Sequence, residues 1–344
     1  MTDNTYFHWL TRETPTTWWH DSGDPEELDF GLAQRASGVT TNPLLSYRAV
    51  AARPGYFRPL IGELPAGVST EERADRIMRA VVCDAARKLE PIYRATEGAQ
   101  GYACAQVNPS RAGDRDAMLA MARVHNAWAP NIAVKLPVTG AGLDVLEDCV
   151  AEGITCTATI SFTVPQVIAI AERQRRGAER ARRAGITPGH CFSVIMIGRL
   201  DDYLREVAHD NRAAVSEDDI QKAGLAVTKR AYAIYKERGY EAVLLVAALR
   251  GNYHMTELAG AELIMSIHPR NQGQLLQPGV PREQRIDRPV DPKAIDRLCT
   301  MPDFVRAYEP DGMKPEDFVS YGVTQRTLSQ FIEAGWALLE TTRL

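Results

Sequence analysis

Short apolar or β-branched runs alternate along this chain with longer stretches in which apolar residues recur at helical spacing. That is the pattern of successive βα units around a parallel sheet. Residues 16–20 predict a first strand, closed by the turn-forming Asp21-Ser22-Gly23-Asp24. Residues 37–41 predict a short second strand, after which Pro43 opens a helix at its first turn. Further strands are predicted at 101–107, 131–135, 154–160, 191–197, 242–247 and 261–267, each set off by a helical or loop stretch. Residues 51–99 form an excursion in which Pro54, Gly55, Pro59, Gly62, Pro65 and Gly67 predict loops. Ser69 and Glu72 then predict a capping box, opening a helix with Ile77, Val81, Ala85 and Leu89 on one face.

Eight such units predict an α/β fold: a (β/α)8 TIM barrel, which typically needs ~250 residues. The expectation is one domain over residues 1–344, with strands within 16–268, an insertion between strands two and three, and a helical C-terminal extension over 293–344. The extension is expected to pack across the barrel mouth or its side, and residues 272–292, rich in Gly, Pro and Gln, read as a linker or loop. An open doubly wound sheet is the alternative, but no G-x-G-x-x-G follows strand one.

Composition narrows the partners. With 344 residues, 45% hydrophobic, 24% charged and a net charge of -4, the chain is globular and offers no basic field for nucleic acid or an anionic membrane. The local run Arg173, Arg175, Arg176, Arg180, Arg182, Arg183 reads as a solvated helix face. Residues 1–8 lack the basic-then-apolar pattern of a secretory leader, and no stretch reaches the ~18 apolar residues of a membrane span, so a cytoplasmic protein is expected. Six cysteines without a C-x-x-C pair indicate neither a disulfide framework nor a metal site.

In a barrel the active site forms at the C-terminal ends of the strands. The polar residues expected there are Asp21 after strand one, Thr41 ending strand two and Asn42 after it, Gln106 and Asn108 at the end of strand three, Lys135 ending strand four, Thr157 and Thr159 on strand five, Arg199 after strand six and Arg250 after strand seven. Lys135 is the sharpest of these, because it ends the apolar run Ile132-Ala133-Val134 and precedes Leu136-Pro137-Val138. It reads either as a lysine snorkelling into water or as an amine whose burial favours the neutral, nucleophilic form that attacks a carbonyl.

Residues 37–45, Ser-Gly-Val-Thr-Thr-Asn-Pro-Leu-Leu, resemble the T-T-N-P signature of the transaldolase family, and Val134-Lys135-Leu136-Pro137-Val138-Thr139 resembles its Schiff-base lysine segment. The similarity continues in order through residues 141–159 and 198–202 and covers roughly 16–268. It implies a barrel enzyme without cofactor, acting on a small sugar or sugar phosphate, with homo-oligomers common in the family. Lys135 matches the Schiff-base lysine, Asp21 the proton-handling aspartate, Asn42 a substrate-holding asparagine, Thr159 the threonine that positions water, and Arg199 and Arg250 the phosphate-binding pair.

The departures matter too. Gln106 stands where transaldolases carry a glutamate, and an amide can orient water but cannot abstract a proton. Met196 stands where the aldolase branch has a tyrosine, while Val194, Thr157 and Ala248 replace polar residues, predicting a more apolar pocket. Taken alone, Asp21 reads as an Asx turn, Asn42 as a helix cap, Arg199 with Asp201 and Asp202 as a surface ion pair, Gln106 as a satisfied core amide, and Trp18 and Trp19 as core. His20 and His254 are weak candidates for the missing proton-transfer group. Three functions follow from the resemblance: dihydroxyacetone transfer, release of dihydroxyacetone by a lyase, and sugar-phosphate binding without catalysis.

Overall fold

Buried β-branched and apolar runs become eight parallel strands because both faces of each are covered, one by the barrel interior and one by a surrounding helix. In the computed structural model, which describes residues 5–65 and 67–343, these are β1 (Thr17–His20), β2 (Gly38–Val39), β3 (Tyr102–Gln106), β4 (Ile132–Pro137), β5 (Cys156–Thr159), β6 (Cys191–Met196), β7 (Val243–Ala247) and β8 (Ile264–Ile267). They close into a barrel in chain order, β8 pairing back to β1. The expected (β/α)8 architecture is therefore the observed one. Expectations that reach residues 1–4, 66 and 344 lie outside the described residues.

Period-two alternation decides which side chains enter the barrel. Trp19 of β1 meets Phe192 of β6 at a ring separation of 4.6 Å, and Phe192 meets Tyr102 of β3 at 5.4 Å, so aromatic rings fill the lower barrel. Gly38 of β2 makes room for this layer, since a Cβ there would stand 2.5 Å from the Trp19 indole. Trp18, one residue out of phase, faces outward against Phe7 and donates its indole N–H to Gln34 O. His20 is likewise turned outward and buried, with Gln272 Nε2 donating to its Nδ1 at 2.9 Å.

Burial, and then the neighbouring His268, push the His20 imidazole down to about 4. The folded state thus holds a neutral ring where the unfolded chain takes up a proton below its ordinary value of 6.5. Stability from this residue is complete above pH ~6.5 and is lost as the pH falls toward ~4, by about 3 kcal/mol in all. Urea unfolding midpoints at pH 7 and pH 4.5 should show a loss in the wild type that shrinks in His20→Asn. An undiminished loss would assign the acid sensitivity to other groups.

Three local expectations need correction. The stretch before Ser69 is not all loop: Pro54–Ile61 is a helix, because Pro54 occupies its first turn and the positive-φ Gly62 ends it. The capping box on Thr70–Ala95 is half-formed, with Ser69 Oγ accepting from Glu72 N at 3.1 Å while the Glu72 carboxylate pairs with Arg76 instead. Strand four runs two residues past Lys135 to Pro137, whose missing N–H costs little at a strand end.

The presumed linker begins inside the helix Pro269–Leu275, where Gln272 is buried and donates to Ile267 O at 2.7 Å. Within the arginine run on the helix Val164–Arg183, Arg173, Arg176 and Arg180 pair with acids on the neighbouring helix Gly140–Ala151, Arg176 with Glu147 at 2.9 Å and Arg180 with Asp148 at 2.9 Å. Each exposed pair of this kind adds only about 0–1 kcal/mol. No helix among the described residues is long and apolar enough to cross a membrane.

The C-terminal extension takes both of the expected positions. Its first part lies along the barrel side, where Arg297 grips the buried Asp219 at 2.6 Å. Its last part crosses the mouth through the helix Gly322–Phe331 and a π-helical turn at Ile332–Trp336. A Cβ on Gly335 would stand 3.0 Å from Leu44 N, so the missing side chain lets this turn lie against the start of the helix Pro43–Ala52.

Candidate active site

A cavity of about 450 Å³ opens at the C-terminal ends of the strands. Of the residues expected there, Asp21, Asn42, Lys135, Thr159, Met196, Arg199 and Arg250 line it together. Thr41, Gln106 and Thr157 lie in the wall without lining it, and Asn108 stands apart.

The T-T-N-P segment holds this arrangement through four consecutive residues. Thr40 Oγ1 donates to Asp21 Oδ1 at 2.6 Å, and since that hydroxyl has one proton, Ser266 Oγ, 2.6 Å away, donates to it in turn. The relay Ser266–Thr40–Asp21 fixes the carboxylate in place. Thr41 Oγ1 bonds Cys104 O at 2.6 Å, and its own carbonyl accepts from Lys135 Nζ at 3.1 Å. Asn42 Oδ1 caps the next helix through Leu45 N at 2.9 Å while the residue also lines the cavity, so the cap and site readings coexist. Pro43 supplies the preset first turn.

Lys135 is 7% exposed and points into the barrel. Register places Gln106 of β3 and Thr157 of β5 beside it at the same level. Thr157 is spent on Cys104 Sγ at 3.4 Å. Gln106 Oε1 and Thr159 Oγ1 are buried and accept or donate no hydrogen bond among the described residues, so Gln106 is not a satisfied core amide. Gln106 lies beside Lys135 and Thr159 two residues nearer the mouth, opposite Pro137, and two unpaired polar atoms so placed are suited to holding water or a substrate hydroxyl. The opposite wall, Val194, Met196, Leu245 and Ala247, is apolar, as the departures at positions 194 and 196 predicted.

The arginine pair depends on close backbone approach. A Cβ on Gly198 would stand 2.3 Å from Ala248 O and 2.5 Å from Arg250 Cγ, so glycine after β6 lets the chain after β7 come alongside. Ala248 holds φ 58° and its carbonyl accepts from Arg250 Nη1 at 2.7 Å; Ile160, after β5, holds φ 59°. Such backbone costs roughly 1–3 kcal/mol per residue and gathers at functional sites. Asp202 binds Arg250 at 2.6 Å, while Arg199 meets Gln330 at 2.5 Å and lies over the Phe331 ring. Arg199 is therefore not the surface partner of Asp201 or Asp202. Burial, with Arg250 beside it, pushes its guanidinium down to about 10, which leaves it protonated at neutral pH with its charge poorly matched.

Several other expectations fail on geometry. Asp21 makes no Asx turn, because Ser22 Oγ takes that role by accepting from Asp24 N at 3.1 Å. Asn108 caps a 3-10 turn through Ser110 N and donates to Glu71 at 2.8 Å, which uses its amide away from the cavity. Neither His20 nor His254 lines the cavity. His254 lies beneath Arg250, its Nδ1 accepting from Arg250 N at 3.2 Å and its Nε2 paired with the buried Asp201 at 2.9 Å. Residues the sequence did not single out also line the cavity: Thr40, Ser266, Arg48, His268, Arg270 and Phe331. No group of metal-ligating side chains occurs among the described residues.

His254→Ala should cost about 1–3 kcal/mol, since it leaves buried polar groups of Asp201 and Arg250 unpaired. It should also weaken the hold of Arg250 on an anion, read beside thermal melts as a raised Kd for inorganic phosphate; an unchanged Kd would leave His254 with no part in positioning Arg250.

Among known proteins, residues 18–317 match the model of a family described as Transaldolase/Fructose-6-phosphate aldolase. The chain is 33% identical to transaldolase 1 of Streptomyces avermitilis over 210 residues, covering 58% of this chain and 54% of that protein. It is 32% identical to the transaldolase of Thermobifida fusca over 227 residues, covering 63% and 59%. The matched regions thus span between half and two thirds of these relatives.

Proposed function

This chain belongs to the transaldolase/fructose-6-phosphate aldolase family, and from that membership we propose that it transfers a dihydroxyacetone unit from a phosphorylated ketose to an aldehyde through a Schiff base on Lys135. The observation that carries the reading is a buried primary amine in a cavity shared with Asp21, Arg199 and Arg250.

The Lys135 amine adds to the ketose carbonyl, and loss of water gives an iminium. As the carbon–carbon bond two positions from the iminium nitrogen breaks, Asp21 takes the proton of the adjacent hydroxyl, the bonding pair becomes the enamine on Lys135, and an aldehyde leaves. The enamine then attacks the carbonyl of the acceptor, Asp21 returns the proton to the new alkoxide, and water held by Gln106 and Thr159 hydrolyses the iminium. Arg199 and Arg250 hold the phosphate in the fork geometry that guanidinium offers.

Release of dihydroxyacetone instead requires a proton donor at the enamine carbon. The apolar wall of Val194, Met196 and Leu245 offers none, which favours transfer over the lyase outcome. A cytoplasmic setting accords with phosphorylated sugars as substrates.

The test is covalent trapping. The protein is mixed separately with fructose 6-phosphate and dihydroxyacetone and reduced with borohydride, and intact mass and peptide mapping are read in wild type and Lys135→Ala. A sugar-sized adduct on the peptide containing Lys135, absent from the variant, is expected. An adduct elsewhere, or none with either donor, would overturn the Schiff-base reading.

A further inference from the structure

More arginines line the cavity than the pair assigned to one phosphate. Lys135, Arg48, Arg199, Arg250 and Arg270 line it against one carboxylate, Asp21, in a chain whose net charge is -4. The arginines fall into two sets. Arg199 and Arg250 follow β6 and β7, and Arg250 is already matched by Asp202 at 2.6 Å.

Arg48 stands on the helix Pro43–Ala52 after β2, and Arg270 on Pro269–Leu275 after β8. Because β1 pairs with both β2 and β8, these two arginines lie on either side of the strand that leads into Asp21. Most arginines elsewhere on this surface are paired with acids, as Arg53, Arg205 and Arg230 are. The guanidinium groups of Arg48 and Arg270 have no side-chain or backbone partner among the described residues.

Both side chains are exposed at the cavity rim, where water screens their mutual repulsion and their shared sign still raises the local concentration of anions. We propose that Arg48 and Arg270 form a second anion subsite, so that the sugar substrate bears a second anionic group, phosphate or carboxylate, in addition to the phosphate held by Arg199 and Arg250. This deepens the function proposed above and rests on it for the identity of the ligand as a sugar. Arg–phosphate and Arg–carboxylate bonds are charge-assisted, so the second group should act on affinity directly.

The experiment uses Lys135→Ala protein, in which imine formation plays no part, and isothermal titration with fructose 6-phosphate, fructose 1,6-bisphosphate and 6-phosphogluconate. One or both doubly anionic ligands should bind at least ~10-fold tighter than the monophosphate, the stronger of them identifying phosphate or carboxylate as the second group. Adding Arg48→Gln and Arg270→Gln should remove that advantage while leaving fructose 6-phosphate within about 3-fold, with circular dichroism melts confirming the fold. Equal affinity for all three ligands would overturn the subsite, as would an equal loss for all three in the substituted protein, which would mean long-range steering only. The preference for a doubly anionic ligand is read without catalysis. Failure of trapping at Lys135 and failure of the subsite are therefore separate results.

Discussion

Lys135→Met should abolish transfer, lowering kcat by at least roughly 10⁴-fold, equivalent to about 5.4 kcal/mol of barrier. The amine is the only atom in the proposed sequence that bonds to the substrate, and a thioether cannot form an iminium. Methionine has nearly the length of the lysine stem, so the barrel wall keeps its filling and stability should stay within ~1.5 kcal/mol. The substitution removes one hydrogen bond, Nζ to Thr41 O at 3.1 Å, and leaves that carbonyl facing the cavity. Initial rates with fructose 6-phosphate and an aldehyde acceptor, beside a thermal melt, check both parts. Residual turnover within 100-fold of wild type in a folded variant would sink the covalent mechanism.

Asp21→Asn should lower kcat by about 10²–10⁴-fold, the usual contribution of a positioned acid–base group. The amide oxygen can still accept from Thr40, so the Ser266–Thr40 relay survives and the cavity keeps its shape. What disappears is the ability to take the hydroxyl proton as the carbon–carbon bond breaks. Iminium formation does not need that step, so borohydride should still trap a sugar adduct on Lys135. Retained trapping with lost turnover is the expected split. If trapping vanished along with turnover, Asp21 would be required for capture of the ketose rather than for cleavage.

The barrel was legible in the sequence because each strand is a buried run whose composition differs sharply from its flanks, and because position after a strand translates into position at the mouth. Lys135, Asp21, Arg199 and Arg250 were found by that rule. Asn108 obeyed the same rule and still misled, since Ser110 N and Glu71 claim its amide locally. The helix Pro54–Ile61 was missed because proline and glycine read as breakers when counted, whereas Pro54 begins that helix and Gly62 ends it.

Other parts of the site had no local signature. Ser266 lies in an apolar strand, and nothing around it in the chain indicates a partner in Thr40. Arg48 sits in the second turn of its helix and Arg270 in the first turn of its own, where arginine is ordinary. Gln330 and Phe331 reach Arg199 only because a distant helix folds across the mouth. These contacts are made by tertiary packing, and local patterns do not carry them.

That last arrangement sets an order of events during synthesis. All eight strands lie at or before Ile267, so the barrel can close while the residues that cover its mouth are still unmade. A nascent chain at that stage would have its lysine and its arginines in place, and Arg199 would be free of both Gln330 and the Phe331 ring. The cavity takes its final outline when the helix Gly322–Phe331 docks, so a segment translated well after the barrel completes the wall around the first-formed site.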